Sequence, residues 1–96
     1  MKGITLGKTV YVVYGDEMYK ERVGYIGSTS FIVEEFDDGR IFDSLEWFYA
    51  DYNKRWFTSF AKAKKALLEE GKAIYGDTAI KVCVINENSV WGLDLK

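Results

Sequence analysis

Along the first half of the chain, apolar and polar side chains alternate with the two-residue period of β-strands. Val10, Val12 and Tyr14 alternate with Thr9, Tyr11 and Val13, which puts apolar groups on both faces, as in a strand buried on two sides. Gly15-Asp16-Glu17 supplies turn chemistry. Tyr19, Glu21, Val23 and Tyr25 then alternate with Met18, Lys20, Arg22 and Gly24, predicting one covered and one wet face, and Gly24 and Gly27 would permit barrel corners. A third strand is predicted over Phe31–Phe36, a hairpin turn at Asp37-Asp38-Gly39-Arg40, and a return beginning at Ile41-Phe42. Three short strands joined by tight turns make a meander, the usual opening of a small barrel or curled sheet.

Beyond residue 58 the period lengthens. Phe60, Ala63 and Leu67 recur at helical spacing with Ala66 beside them, and Lys62, Lys64 and Lys65 fall largely on the other side. This predicts the main helix from Ser59 to about Glu70, with Thr58 as N-cap and Gly71 closing it in a left-handed conformation. A last hairpin is expected from Ala79–Ile85 and Val90–Leu95 around Asn86-Glu87-Asn88-Ser89, with Trp91, Leu93 and Leu95 on one face.

Between these halves lie Trp47, Phe48, Tyr49, Tyr52, Trp56 and Phe57, the densest aromatic stretch of the chain. As a strand, Trp47 and Tyr49 would share a face with Phe48 opposite. As a helix, Leu45, Phe48, Tyr49, Tyr52 and Trp56 form one continuous stripe, and Asp43 with Glu46 fits a capping box. The helical reading predicts a short helical turn near 44–51, broken at Asn53, then an extended piece through Arg55-Trp56-Phe57. It assigns the stripe to the core and leaves Trp47 partly exposed, as a candidate interface anchor.

Composition narrows the chemistry. With 96 residues and 48% apolar side chains, the chain fits one domain, residues 1–96, able to bury roughly 65% of its unfolded surface. The expected class is α+β: a small antiparallel barrel or curled sheet of about five to six strands with one main helix. No histidine is present, so no imidazole base, no Ser-His-Asp or Cys-His device and no ordinary zinc site can be built within the chain. The single cysteine, Cys83, sits in the strand-like run Ile80–Ile85 and reads as a packed small residue; it forms no intrachain disulfide. No run of apolar residues spans a bilayer and the first residues lack a signal-peptide pattern, so the expectation is a cytoplasmic, non-enzymatic protein without cofactor or membrane partner.

Charge adds a candidate surface. The net charge of −2 hides a segregation: Asp16–Asp51 holds ten acids against three bases, whereas Lys54–Lys72 holds six bases against two acids. Acidic hairpins can steer a basic partner or occupy a cleft meant for nucleic acid. Glu34, Glu35, Asp37 and Asp38, together with Trp47, are therefore the candidate partner-binding residues. Asp37-Asp38-Gly39 lacks the ligand spacing of a calcium loop. The alternative is a nucleic-acid-binding accessory domain using Lys54, Arg55, Lys62 and Lys65 near Trp56 and Phe57, against which stands a pI of about 5.1.

The order of segments resembles small SH3-like barrel proteins of phages and mobile elements of Gram-positive bacteria. The resemblance rests on Gly7-Lys8-Thr9-Val10-Tyr11-Val12-Val13 and on Asp51-Tyr52-Asn53-Lys54-Arg55-Trp56-Phe57-Thr58-Ser59 running into Ala61–Leu67. It implies an SH3-like barrel with an added helix and an accessory role. It also implies binding of a host protein, such as a CRISPR nuclease or another defence factor, or a structural or packaging role in the phage particle. Proline-peptide recognition is not implied, because the Ala-Leu-Tyr-Asp-Tyr motif and paired tryptophans of signalling SH3 domains are missing.

Overall fold

A computed structural model describes residues 3–37, 40–87 and 89–96, with side chains placed outside 35–44 and Ile80. Seven antiparallel strands and one long helix make an α+β fold: β1 (Thr9–Tyr14), β2 (Glu17–Ile26), β3 (Ser30–Asp37), β4 (Arg40–Phe48), β5 (Trp56–Phe57), α1 (Phe60–Tyr75), β6 (Ala79–Asn86) and β7 (Val90–Leu95). A helical turn at Tyr49–Asp51 joins β4 to β5. The sheet follows the order β4-β3-β2-β1-β5, a curled half-barrel, and the β6–β7 hairpin attaches through β7 to β2.

The ten-residue β2 organises this sheet. One edge pairs with β1 from Tyr14↔Glu17 to Thr9↔Arg22. Its other edge is divided: Met18 and Tyr19 pair with β7, while Arg22 to Ile26 pair with β3. A register shift between Val23 and Tyr25 bends the strand at Gly24. A methyl group at Gly24 would lie 2.5 Å from Glu34 Cδ, so glycine there lets the Glu34 chain cross the sheet.

Alternation along β1 creates two cores. Val10 and Val12 face the barrel interior with Ile4, Val23, Phe31, Val33, Trp47 and Trp56. Val13, with Tyr11 packed alongside, faces the other way, against Met18, Phe57, Ala63, Leu67 and Trp91. The wall shared by the two cores is the doubly apolar strand that the sequence pattern predicts. Tyr14, at its end, is exposed.

Helix α1 covers the second core. Its N-cap is Ser59, whose Oγ accepts from the Lys62 amide at 3.3 Å, so the cap sits one residue later than expected. Ala63 and Leu67 are completely buried, and burying one leucine contributes about 1.5–3 kcal/mol. Gly71 does not close the helix. It is buried on the packed face, where a Cβ would come within 2.4 Å of Leu93 Cδ1. The helix runs one more turn and ends at Gly76, whose φ of 64° and ψ of −141° suit only glycine. At that end Tyr75 donates its hydroxyl to Asp16 Oδ2 at 2.6 Å, tying α1 to the β1–β2 turn.

The aromatic stretch divides differently from the helical reading. The expected helical turn occupies only Tyr49–Asp51, while β4 continues through Phe48, held by a register with β3 that reaches Ser30↔Phe48. Strand parity therefore governs residues 45–48. Trp47 opposes Phe31 and is 8% exposed, a core residue and not a free anchor. Leu45 and Phe48, assigned by the helical stripe to the core, are 42% and 48% exposed. Phe48 lies on the outer face, and Leu45 sits at the open edge of the half-barrel.

Trp56 is the centre of the first core. It is fully buried, edge-on to Phe31 at 4.7 Å, tilted against Tyr52 at 4.7 Å, and its Nε1 donates to the Phe48 carbonyl at 2.8 Å. The Trp47 Nε1, by contrast, is buried with no hydrogen-bond partner among the described residues. Asn53 adopts φ 62° and makes the turn that delivers Trp56 to β5.

Candidate functional site: an acidic ribbon and a cationic loop

The pairing of β2 with β3 ends at Arg22↔Glu34, because the N-terminal half of β2 takes β7 instead. Strands β3 and β4 nevertheless stay paired through Glu34↔Ser44, Glu35↔Asp43, Phe36↔Ile41 and Asp37↔Arg40. The hairpin thus runs past the sheet as a two-stranded ribbon. The whole β3–β4 hairpin carries six acidic residues and one basic residue, of which four acidic and one basic fall at 35–43, past the β2 pairing. Glu34 stands at its root, half-buried, opposite Arg22 and laid over Gly24. Glu35 and Asp37 follow at ribbon positions paired with Asp43 and Arg40. Asp38 lies outside the described residues, between the paired Asp37 and Arg40. Glu46, exposed nearer the sheet, accepts a hydrogen bond from Ser30 Oγ at 2.5 Å.

The structure therefore groups Glu34, Glu35 and Asp37 on one projecting strand and sets Trp47 apart, with its ring in the core beneath. The sequence reading missed Leu45 and Phe48 as surface groups beside that ribbon. Strict alternation, applied to Ile41–Phe48 in place of the helical period, would have exposed Phe48.

The four basic candidates fall in two pairs, Lys54 with Arg55 and Lys62 with Lys65, each lining its own cleft. The amides of Lys54 and Arg55 both donate to the Asp51 carbonyl at 3.0 Å, and the Arg55 carbonyl accepts from the Val13 amide at 2.8 Å. Lys54 and Arg55 line an open cleft of about 340 Å³ with Val13, Gly15, Asp51 and Glu70. Lys62 and Lys65 line a second, also about 340 Å³, with Asn53, Phe57, Ala66 and Glu69. Each cleft sets carboxylates among its cations. The first is formally neutral and the second carries a single excess positive charge, so neither offers the uncompensated positive field that a phosphate backbone requires.

Cys83 is half-buried in β6. Among the described residues, no group of three His, Cys, Asp or Glu side chains is placed to hold a metal ion. Among them, too, no helix is long and apolar enough to cross a membrane. No protein-family model, curated protein or solved structure matches the chain.

Proposed function

We propose that this protein is a non-enzymatic binding module whose acidic β3–β4 ribbon engages a basic surface on a partner protein. One observation carries the reading: the chain's densest run of carboxylates falls on a hairpin whose strand pairing outruns its neighbour β2. A hairpin with a net charge of −5, of which −3 lies on its projecting part, raises association rates with a cationic partner and makes binding fall with salt. The exposed Leu45 and Phe48 at its base supply the apolar contact that charge alone lacks. Glu34, Glu35, Asp37 and Asp38 carry the electrostatic part; Trp47 supports β4 from within. The resemblance implies a host protein such as a CRISPR nuclease or another defence factor as partner, and the charge of the hairpin calls for a basic surface on it.

The test is charge reversal. The variant carrying Glu34→Lys, Glu35→Lys, Asp37→Lys and Asp38→Lys and the unaltered protein are each used as bait on host lysate, and retained proteins are quantified across a salt gradient. Basic proteins should be retained by the unaltered bait, released by salt and lost with the variant. Equal retention by both baits would end the acidic-ribbon reading.

Nucleic-acid binding through Lys54, Arg55, Lys62 and Lys65 is the second reading, favoured only by the pairing of these side chains on two clefts. Saturable, salt-sensitive binding of single- or double-stranded DNA or RNA, abolished by Arg55→Glu with Lys62→Glu, would replace the first reading with this one.

A further inference from the structure

Strand β4 has a neighbour on one side only, since it pairs with β3 and with no other strand among the described residues. Its hydrogen-bonding polarity can be worked out. The Tyr49 amide donates to the Thr29 carbonyl at 3.0 Å, which marks Ser30↔Phe48 as a narrow, non-hydrogen-bonded pair. Pair type alternates along an antiparallel ladder, so Ile32↔Glu46 and Glu34↔Ser44 are also narrow pairs. Ser44, Glu46 and Phe48 therefore direct their amide and carbonyl groups away from β3, to the open edge. The Phe48 carbonyl is taken by Trp56 Nε1, which caps the edge at that end. Ser44 and Glu46 offer two donors and two acceptors along it.

The register from Ser30↔Phe48 to Glu35↔Asp43 is uninterrupted, and its only irregularity lies beyond, between Glu35 and Phe36. This leaves a regular edge six residues long, without the bulge or proline that commonly protects such an edge. The exposed Glu46 protects it by charge instead. Two copies pairing through β4 would bring two hairpins of net −5 together, so a second copy of the chain is disfavoured. A cationic strand is not. Side chains on an added strand would alternate, one set opposite Glu46 and the other on the barrel side, next to the half-exposed Leu45.

We propose that β4 accepts an extended segment of the partner as an added antiparallel strand, in which basic residues alternate with apolar ones. The proposal rests on the acidic-ribbon reading for the partner's charge and adds the mode of docking, through main-chain hydrogen bonds.

The probe is an end-capped hexapeptide of alternating Lys and Val, titrated against the full chain by isothermal calorimetry and by amide hydrogen exchange. Expected results are saturable binding, at least tenfold slower exchange of the Ser44 and Glu46 amides, and at least tenfold weaker binding of the Glu-Val peptide. N-methylation of alternate peptide residues, on the edge facing β4, should weaken binding at least tenfold. Glu46→Pro should abolish binding, because that amide faces outward and proline there spares the β3–β4 ladder. Glu46→Gln keeps the amide and should weaken binding only a few-fold. Unchanged thermal midpoints check the fold of both variants.

Binding indifferent to N-methylation in both alternating frames would overturn strand addition while leaving the acidic ribbon intact as a charged surface. Absence of binding, or sedimentation showing that β4 is occupied by a second copy, would overturn it as well. The acidic-ribbon reading is tested separately, by the charge-reversed variant, so the two can fail independently.

Discussion

Replacing each of two tryptophans by phenylalanine separates the roles that the fold assigns to them. Both Trp47 and Trp56 lie in the barrel core, at 8% and 0% exposure. Shrinking either indole to a phenyl ring forfeits packing worth about 1–2 kcal/mol. The two sites differ at the indole N–H. At position 56 the change also removes the 2.8 Å bond to the Phe48 carbonyl, about 1 kcal/mol net, and loosens the chain crossing from β4 to β5. At position 47 no bond among the described residues is lost, and deleting a buried donor without a partner relieves a desolvation cost of about 1 kcal/mol or more. Trp56→Phe should therefore be more destabilising than Trp47→Phe by about 1–3 kcal/mol. For a domain of this size that separates the thermal midpoints by about 4 °C or more. Urea titration with a shared slope measures the difference directly. Equal losses at the two sites, or a larger loss at Trp47, would refute the contrast in burial and bonding between the two indoles. So would a Trp47→Phe variant that keeps its stability but loses its partner, which would return Trp47 to the surface.

Other outcomes concern the helix and its ends. Ser59→Ala should cost about 0.5–1 kcal/mol by removing the cap on the Lys62 amide, whereas Thr58→Ala leaves that cap in place, removes only an exposed 3.1 Å hydrogen bond with the Tyr52 hydroxyl and should cost less; urea midpoints distinguish the two. Gly76→Ala should cost about 1–3 kcal/mol, since no other residue tolerates that backbone conformation, and thermal unfolding reads the loss. Tyr75 has its phenol pushed above the ordinary range, chiefly by its hydrogen bond to the Asp16 carboxylate, with some desolvation and repulsion by the same group. A group whose folded pKa is raised lends its stability in full below the unfolded value, about 10, and loses it as pH climbs past the folded value. The thermal midpoints of the unaltered protein and Tyr75→Phe should therefore converge above about pH 10, and a constant gap through that range would contradict the assignment.

Much of the fold could be read from short-range patterns because its strands are joined by short connections. Alternation along Thr9–Tyr14 anticipated a strand with two buried faces, and β1 is the wall between two cores. The helix was legible from Phe60, Ala63 and Leu67, but its length was not. Whether Gly71 ends a helix or packs inside it depends on Leu93, twenty-two residues away, and local sequence carries no sign of that contact. The aromatic stretch misled for a similar reason. Leu45, Phe48, Tyr49, Tyr52 and Trp56 match a helical period by coincidence, while the long β3–β4 register imposes a strand period as far as Phe48. The two periods put Trp47 on opposite sides of the surface. Charge segregation pointed to the acidic hairpin, but its projection could not be foreseen, because it follows from β2 exchanging β3 for β7 midway.

Binding energy that comes from the acidic ribbon, and not from the aromatic core beneath it, has a direct signature. The measurement is the affinity of a purified captured partner at several salt concentrations, for the unaltered protein, Trp47→Phe and the variant with Lys at 34, 35, 37 and 38. Trp47→Phe should bind like the unaltered protein, with affinity falling steeply with salt, and the charge-reversed variant should lose both the affinity and its salt dependence. Undiminished binding by the charge-reversed variant, or loss of binding in a stably folded Trp47→Phe, would contradict the acidic-ribbon reading.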